Sequence, residues 1–180
     1  MLYTFAVHMH DRPGVLSRVT SLVRRFGLNI EALTVGHTER PGISSMTVVI
    51  NLEERRARQV EANLYKLLDV MLVKRICDAA IARELAMIKV PAGETLAHIL
   101  SDVMEEFHAR IVDRSVKVVV LEVAGTAQEI DRFAELLSPC GILEMVRTGP
   151  IALAAECKLA ADQVLEVCPR GVARLRVASR

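Results

Sequence analysis

The sequence predicts an α+β protein built from two tandem ferredoxin-like domains. Strand and helix patterns alternate in the order β-α-β-β-α-β over the first half, which is the ferredoxin-like plan. The plan then recurs, and FGLNIEALTV at 26–35 aligns with FHARIVDRSV at 107–116, an offset of 81 residues (107 minus 26). Hydrophobic residues make up 52% of the chain and aromatic residues only 3%, so aliphatic side chains must fill the two cores.

The first half alternates period-2 and period-3.6 hydrophobic patterns, separated by turn signals. The segment HDRPG at 10–14 interrupts an apolar run, and Gly27 stands where a helix C-terminus prefers glycine. The predicted elements are a strand at 2–9, a helix at 15–26, strands at 28–36 and 45–52, a helix at 53–68 with Val60, Leu64, Leu67 and Leu68 on one side, and a strand at 70–77.

The second half gives a βαββα-type pattern of the same kind, with a turn at Pro139–Gly141. The predicted elements are a strand at 85–90, a helix at 94–107, the repeat segment at 107–116, a strand at 118–124, a helix at 127–137 and one extended segment at 142–153. An internal repeat of this length indicates two domains rather than a solenoid, which needs three or more shorter units.

We therefore expect domains at 1–78 and 79–156 and a separate tail at 157–180. Residues 1–78 carry 11 Lys and Arg against 8 Asp and Glu, whereas residues 79–156 carry 7 against 12. The tail carries 5 against 2 and departs from both halves, which indicates a poorly ordered terminus. The uneven charge supports two domains with different surfaces.

Several classes of function are disfavoured by composition and motifs. No apolar run approaches the roughly 18 residues that span a membrane, and the N-terminus has no export signal. The four cysteines form no Cys-x-x-Cys pair, so free thiols in a cytoplasmic protein are the better interpretation. No contiguous basic field indicates nucleic-acid binding, and no phosphate-binding glycine loop or serine-nucleophile motif occurs.

The turn before the first helix is the candidate binding site. A helix N-terminus exposes unpaired backbone N–H groups and a partial positive charge, and both attract a carboxylate. Gly14 has no Cβ, so a ligand can approach the backbone closely. Asp11 is placed either to cap the helix or to meet an ammonium group. The ordinary alternative is that this turn is only a helix start.

Asn29 opens the second strand, and its amide both donates and accepts hydrogen bonds. In a β-α-β unit this position lies beyond the far end of the helix from Asp11. The two places therefore meet only if two chains pair antiparallel, so a dimer is part of the hypothesis. The ordinary alternative is an exit turn after Gly27.

His8 and His10 point to one face of a strand, but no further ligand at suitable spacing accompanies them. We therefore predict a structural or solvent-facing pair and no metal site. No constellation of residues resembles a catalytic centre.

The order of these segments resembles the small regulatory subunit of acetolactate synthase, also called acetohydroxyacid synthase. The resemblance rests on DRPGVLSRVTSLVRRFGLNIEALTVG at 11–36, HTERPGISSMTVVI at 37–50, KLLDVMLVKRI at 66–76, RELAMIKV at 83–90 and IDRFAELLSPCGILEMVRTGPIALA at 130–154. Three features depart from the family: Asp11 stands where Asn is frequent, RSVKVVV at 114–120 has no Pro, Asp or Gly turn, and 157–180 extends past the usual end.

The resemblance implies an N-terminal ACT domain, which binds an amino acid between two chains. The chain would be non-catalytic, would activate a large subunit holding thiamine diphosphate, Mg and FAD, and would bring feedback inhibition by valine to branched-chain amino acid biosynthesis. It would hold no cofactor itself. The family's effector positions map onto Asp11, Gly14, Val15 and Leu16 of one chain, with Asn29 and Ile30 of the other.

Two other classes of protein share parts of this pattern. A stand-alone ACT-type amino-acid sensor would have the same site and dimer, but it would not need the second domain. An RNA-binding module shares the ferredoxin-like plan, yet MTVVI at 46–50 has no aromatic residue to stack on a base.

Overall fold

A computed structural model describes residues 1–76 and 80–154 of the chain. The chain divides into two compact units: unit 1 is Met1–Ile81 together with 152–154 of the described residues, and unit 2 is Ala82–Ile151. The predicted boundary at 78/79 and the predicted tail at 157–180 lie outside the described residues.

Unit 1 has the predicted β-α-β-β-α-β order. Its elements are β1 (Leu2–His10), α1 (Val15–Arg25), β2 (Ile30–His37), β3 (Ile43–Asn51), α2 (Glu54–Leu64) and β4 (Val70–Ile76).

The four strands form an antiparallel sheet in the order β2-β3-β1-β4. The register pairs His10 with Ile43 and Leu2 with Asn51, so β1 and β3 match along their whole length. Alternate residues of the strands face the two helices, as the period of 2 requires. The resulting core contains Phe5, Val7, Val19, Val23, Met46, Val48, Ile50, Val60 and Leu64.

The two helices of unit 1 end differently. After α1, the N–H of Leu28 donates to the carbonyl of Val23 and that of Gly27 to Arg24, with Gly27 at φ +64°. This is a Schellman motif, and it explains the glycine.

Helix α2 stops at Leu64, although the sequence predicts a helix to Leu68. The backbone tightens there into i→i−3 bonds, Leu67 to Leu64 and Lys66 to Asn63, because the chain must turn into β4. Leu68, which the periodicity placed on the inner face, is consequently 89% exposed.

Unit 2 repeats the arrangement. Its elements are β5 (Ala80–Pro91), α3 (Glu94–Phe107), β6 (Arg110–Arg114), β7 (Val118–Gly125), α4 (Ala127–Leu137), a 3₁₀ turn (Ser138–Cys140) and β8 (Glu144–Arg147). A last strand, β9 (Ile151–Ala154), begins at the final residue of unit 2. The sheet of unit 2 has the order β6-β7-β5-β8, with β9 paired to β5. This order repeats that of unit 1 element for element and confirms the α+β class with two ferredoxin-like domains.

The core of unit 2 is separate from that of unit 1 and contains Ala86, Ile88, Val90, Val103, Leu121, Ile130, Phe133 and Leu137. The rings of Phe107 and Phe133 meet edge to face, with centroids 5.4 Å apart. Each unit therefore has the buried aliphatic core that an independently packed layer of helices on a sheet requires.

Two local features of unit 2 differ from the sequence prediction. The segment 142–153 is two short strands, because Gly149 takes φ +76° and Pro150 cannot donate to a ladder. The β6–β7 turn needs no glycine, since the Ser115 hydroxyl and backbone both bond to Val118.

None of the helices within 1–76 and 80–154 has both the length and the apolar character needed to cross a membrane.

Candidate functional site

The first helix of unit 1 starts at a turn that keeps its backbone accessible. Gly14 is the N-cap and takes φ +86°, a left-handed conformation that favours glycine. A Cβ placed there would lie 3.9 Å from Nη2 of Arg18, so space itself would permit a side chain. The backbone angle, rather than crowding within this chain, is what calls for glycine.

The N-terminus of α1 is left without a side-chain acceptor. Gly14 offers no capping side chain, and no acidic residue stands in the first turn. The other three helices of the described residues differ: α2 and α3 have Glu54 and Glu94 in their first turns, and α4 has a capping box. Of these four helix starts, that of α1 is the one with neither a capping side chain nor an acidic residue in its first turn, so its partial positive charge is the least compensated by the protein.

Asp11 lies beside this helix start but does not cap it, so the capping alternative is wrong. Its backbone N–H donates to the carbonyl of Gly42 at 2.8 Å, which ties the end of β1 to the β2–β3 loop. Its carboxylate Oδ2 instead lies 3.4 Å from Nδ1 of His37, and the Asp11 side chain is 48% exposed. The carboxylate is consequently free of the helix and can meet a cation.

The next two predicted residues differ in what they present. Val15 is 2% exposed and packs in the core of unit 1, so only its backbone can contact a ligand. Leu16 is 39% exposed and presents its side chain at the surface. The structure therefore brings together Asp11, Gly14, the backbone of Val15, and Leu16.

Asn29 and Ile30 lie at the opposite end of the same sheet. Ile30 pairs with Ile50 of β3, whereas His37, at the other end of β2, pairs with Ser44. A span of seven strand residues is roughly 23 Å, at about 3.3 Å per residue. Within one chain, Asn29 is thus far from Asp11.

At that distant end Asn29 is exposed, and its Nδ2 donates to Oε1 of Glu31 at 3.1 Å. Ile30 is half-buried and packs against the core. The amide oxygen of Asn29 is not engaged by that hydrogen bond and can accept another.

Three residues around the start of α1 were missed by the sequence reasoning. His37 contacts Asp11, and Arg18 pairs with Asp69, whose side chain is only 14% exposed. Their presence depends on the pairing of β1 with β3 and β4, which local patterns do not encode. The one available signal was the strand order of the fold, which places the β2–β3 loop beside the end of β1.

The His8 and His10 pair shows no metal-binding geometry. Within the described ranges, no three His, Cys, Asp or Glu side chains are grouped to hold a metal ion. His8 lies opposite Ser45 and Leu72 on neighbouring strands, and its burial lowers the pKa of its imidazole.

Comparisons with known proteins match both units to one family. Residues 5–72 match the model of the AHAS small subunit-like ACT domain. Residues 83–156 match the model of the small subunit of acetolactate synthase. Together the two models span most of the chain, in the order of the two units.

Curated relatives agree over most of their length. The chain is 39% identical over 153 residues to a probable acetolactate synthase small subunit of Archaeoglobus fulgidus, covering 85% of this chain and 96% of the relative. It is 40% identical over 146 residues to the acetolactate synthase small subunit of Bacillus subtilis, covering 80% and 85% respectively.

A solved structure shares the fold. The crystal structure of the acetolactate synthase small subunit from Thermotoga maritima superposes with a TM-score of 0.79 at 31% identity, covering 85% of this chain and 96% of that one.

Proposed function

The chain belongs to the family of acetolactate synthase small subunits, and from that premise we propose that it is a non-catalytic regulatory subunit. In this proposal it activates a catalytic large subunit in the cytoplasm and brings valine inhibition to branched-chain amino acid biosynthesis. The reaction takes place on the large subunit, which holds thiamine diphosphate, Mg and FAD. This chain supplies the effector site.

The observation that carries the proposal is the open start of α1. A free amino acid has a carboxylate and an ammonium group close together. The N–H groups of Gly14 and Leu16 suit the carboxylate, and the Asp11 carboxylate beside them suits the ammonium. A carboxylate at a helix N-terminus gains about 0.3–1 kcal/mol from the helix dipole alone.

The site is completed by a second copy of the chain. β2 is an edge strand, and edge strands offer their backbone for pairing. Antiparallel pairing of β2 with β2 of a second copy would set the start of one strand beside the end of the other. His37 at the end of β2 already contacts Asp11, so Asn29 and Ile30 of the second copy would arrive next to Asp11.

The side chains around such a site suit a small branched amino acid. Leu16 of one chain and Ile30 of the other would enclose the isopropyl group of valine, and the amide of Asn29 would bond to its ammonium or carboxylate. Val15 is buried and its backbone N–H donates to the carbonyl of Arg12 at 3.3 Å, so its part is to support the backbone of the site from below.

Inhibition by this route is a shift between two arrangements of the dimer. Valine can move that equilibrium only by its differential affinity for the two arrangements. Residues from both copies must therefore contact the ligand, which makes Asn29 the most informative position to change.

The test is acetolactate formation by the large subunit, with and without this chain, across a valine titration. We expect stimulation by the chain and inhibition by valine, and we expect Asn29→Ala to abolish inhibition while activation persists. Asn63→Ala is the matched control, because Asn63 is a half-buried residue of α2 whose side-chain bonds stay within that region of unit 1.

Each outcome separates the alternatives. Normal valine inhibition of the Asn29→Ala chain would contradict the site. Stimulation without any inhibition would contradict valine as the effector and leave the activating role. Absence of stimulation, together with amino-acid binding by the chain alone and no capture of the large subunit, would favour the stand-alone sensor.

A further inference from the structure

Unit 2 contains a surface cavity that the proposed regulatory site does not use. Its volume is about 380 Å³, within the size range of small-molecule sites. The wall includes Arg83 on β5, His108 after α3, and Glu129 and Arg132 on α4. All of the lining residues belong to unit 2.

His108 in this wall has an unusual backbone. Its φ is +50°, and among the described residues it is the one non-glycine residue with a positive φ. The internal repeat places His108 at the position of Gly27, since Phe107 corresponds to Phe26. A side chain in the left-handed region is unfavourable, although His is among the residue types that tolerate it better. Unit 2 thus keeps an imidazole at the cavity where unit 1 has glycine.

The two carboxylates in the wall are already held by the protein. Oε1 of Glu106 lies 2.8 Å from Nη2 of Arg132, whose guanidinium also lies over the Phe107 ring. Glu129 accepts the backbone N–H of Thr126 at 2.6 Å, and this bond lowers the pKa of its carboxyl.

The cap also depends on the neighbouring glycine. A Cβ on Gly125 would lie 2.9 Å from Oε2 of Glu129, so glycine lets that carboxylate lie against the backbone. The carboxylate of Glu129 therefore lies against the backbone at the start of α4.

Arg83 and His108, on the same wall, form no ion pair within the described residues. Arg83 donates to the carbonyl of its own neighbour Ala82, and its charge helps to lower the pKa of the Glu129 carboxyl without a direct ion pair between them. His108 is exposed, and a neutral or charged imidazole has at least one N–H to donate. A wall whose acids are paired and whose Arg83 and His108 remain available favours an anionic ligand.

We propose that this cavity binds a small organic anion whose phosphate or carboxylate group is held by Arg83 and His108. Arg132 and the Phe107 ring form the adjoining wall. This site shares no residue with the amino-acid site proposed in unit 1.

The test is calorimetric titration of the full chain with inorganic phosphate and, separately, with succinate, with sodium chloride at matched ionic strength. We expect saturable binding of at least one probe, and the probe that binds identifies the anion class. Arg83→Gln should weaken binding about tenfold to a hundredfold, the usual range for a hydrogen bond to a charged group. Arg114→Gln, an exposed arginine of β6, should leave binding unchanged.

Changes at His108 separate a binding role from a structural one. His108→Gly should weaken binding and at the same time raise the Tm of unit 2 by about 4–8 °C, because it relieves the backbone strain. His108→Asn should weaken binding without that rise. The absence of saturable binding by either probe, or undiminished binding by Arg83→Gln, would overturn the proposal; so would undiminished binding by His108→Gly.

Discussion

Arg75 in unit 1 and Arg147 in unit 2 occupy equivalent places in the two sheets. Arg75 on β4 lies opposite Phe5 of β1, and Arg147 on β8 lies opposite Ala86 of β5. Phe5 and Ala86 are separated by the 81-residue offset of the repeat (86 minus 5). Both arginines reach the first turns of the second helix of their unit.

The carboxylates that these arginines meet are buried to different degrees. Arg75 binds Glu54 at 2.7 Å, and the Glu54 side chain is 44% exposed. Arg147 binds Asp131 at 2.5 Å and Glu84 at 2.9 Å, and Glu84 is only 11% exposed. Loss of the arginine should therefore cost more unfolding free energy in unit 2, because the carboxylate that remains unpaired there has little access to water.

The units also differ in the helix ends that remain open. Unit 1 leaves the start of α1 without an acceptor and closes its end with Gly27. Unit 2 caps the start of α4 through Thr126 and Glu129 and keeps the strained His108 after α3. The comparison teaches that one fold can offer binding groups at different helix ends, depending on a few local residues.

The largest loss of stability is expected when a buried side chain is removed from one of the two separate cores. Phe133→Ala removes a fully buried ring of unit 2 and should cost about 3–5 kcal/mol of unfolding free energy. Amide resonances of unit 2 should disappear at lower urea than those of unit 1. Phe133→Leu is the control and should cost less. Parallel loss of both sets of resonances would show that the two cores are one cooperative structure.

Removal of Arg147 or Arg75 should give the next largest loss of stability. Arg147→Ala should lower the free energy of unfolding by about 1.5–3 kcal/mol. It removes charged hydrogen bonds and leaves the nearly buried Glu84 without its arginine partner. Arg75→Ala should cost less, since water can reach Glu54. Urea denaturation of both variants measures the difference, with Arg114→Gln as a surface control. The reverse order of costs would contradict the role assigned to burial.

The cap of α4 should have a smaller effect. Thr126→Ala removes the hydroxyl that accepts the Glu129 N–H, and loss of such a cap costs about 0.5–2 kcal/mol. Thr126→Ser keeps an acceptor and should retain most of the stability. If Ser and Ala variants unfold at the same urea concentration, the capping hydroxyl is not what stabilises α4.

An acidic residue added to the first turn of α1 would make this helix start resemble those of the other helices. Ser17→Glu places a carboxylate in the first turn of α1 and should raise stability by about 0.3–1 kcal/mol. The same carboxylate should compete with a bound amino acid and weaken valine inhibition. Ser17→Gln is the uncharged control. Unchanged inhibition in the Glu variant would argue against the helix start as the carboxylate site.

The smallest effect is a pH dependence confined to low pH. Hydrogen bonds from Arg75, and then from Tyr3 and Arg58, lower the pKa of Glu54 from 4.5 to about 2. A carboxyl with a lowered folded-state pKa stabilises above its unfolded pKa and loses that contribution as pH falls toward its folded pKa. The stability advantage over Glu54→Gln should therefore be constant above about pH 5 and shrink between about pH 4.5 and 2.

Urea midpoints at several pH values measure this advantage. Glu53→Gln changes an exposed neighbour and serves as the control. An advantage of Glu54 that stays constant down to pH 2 would contradict the ion-pair origin of the shifted pKa.

Sequence patterns alone determined the class of fold, the repeat and most element bounds. The helices at 94–107 and 127–137 were predicted to the residue, because hydrophobic periodicity and turn residues are local signals. The family could also be recognised from its motifs, and Gly27 as a helix end followed from its position after an apolar face.

Only the tertiary structure decided which side chains meet. The contact of Asp11 with His37, the burial of Val15 and the exposure of Leu68 depend on strand register and on where α2 turns into β4. The left-handed His108 depends in the same way on how α3 enters β6. Local propensity reflects interactions between near neighbours in the chain, whereas these features arise from contacts between distant segments, whose register is set by the packing of a whole sheet face.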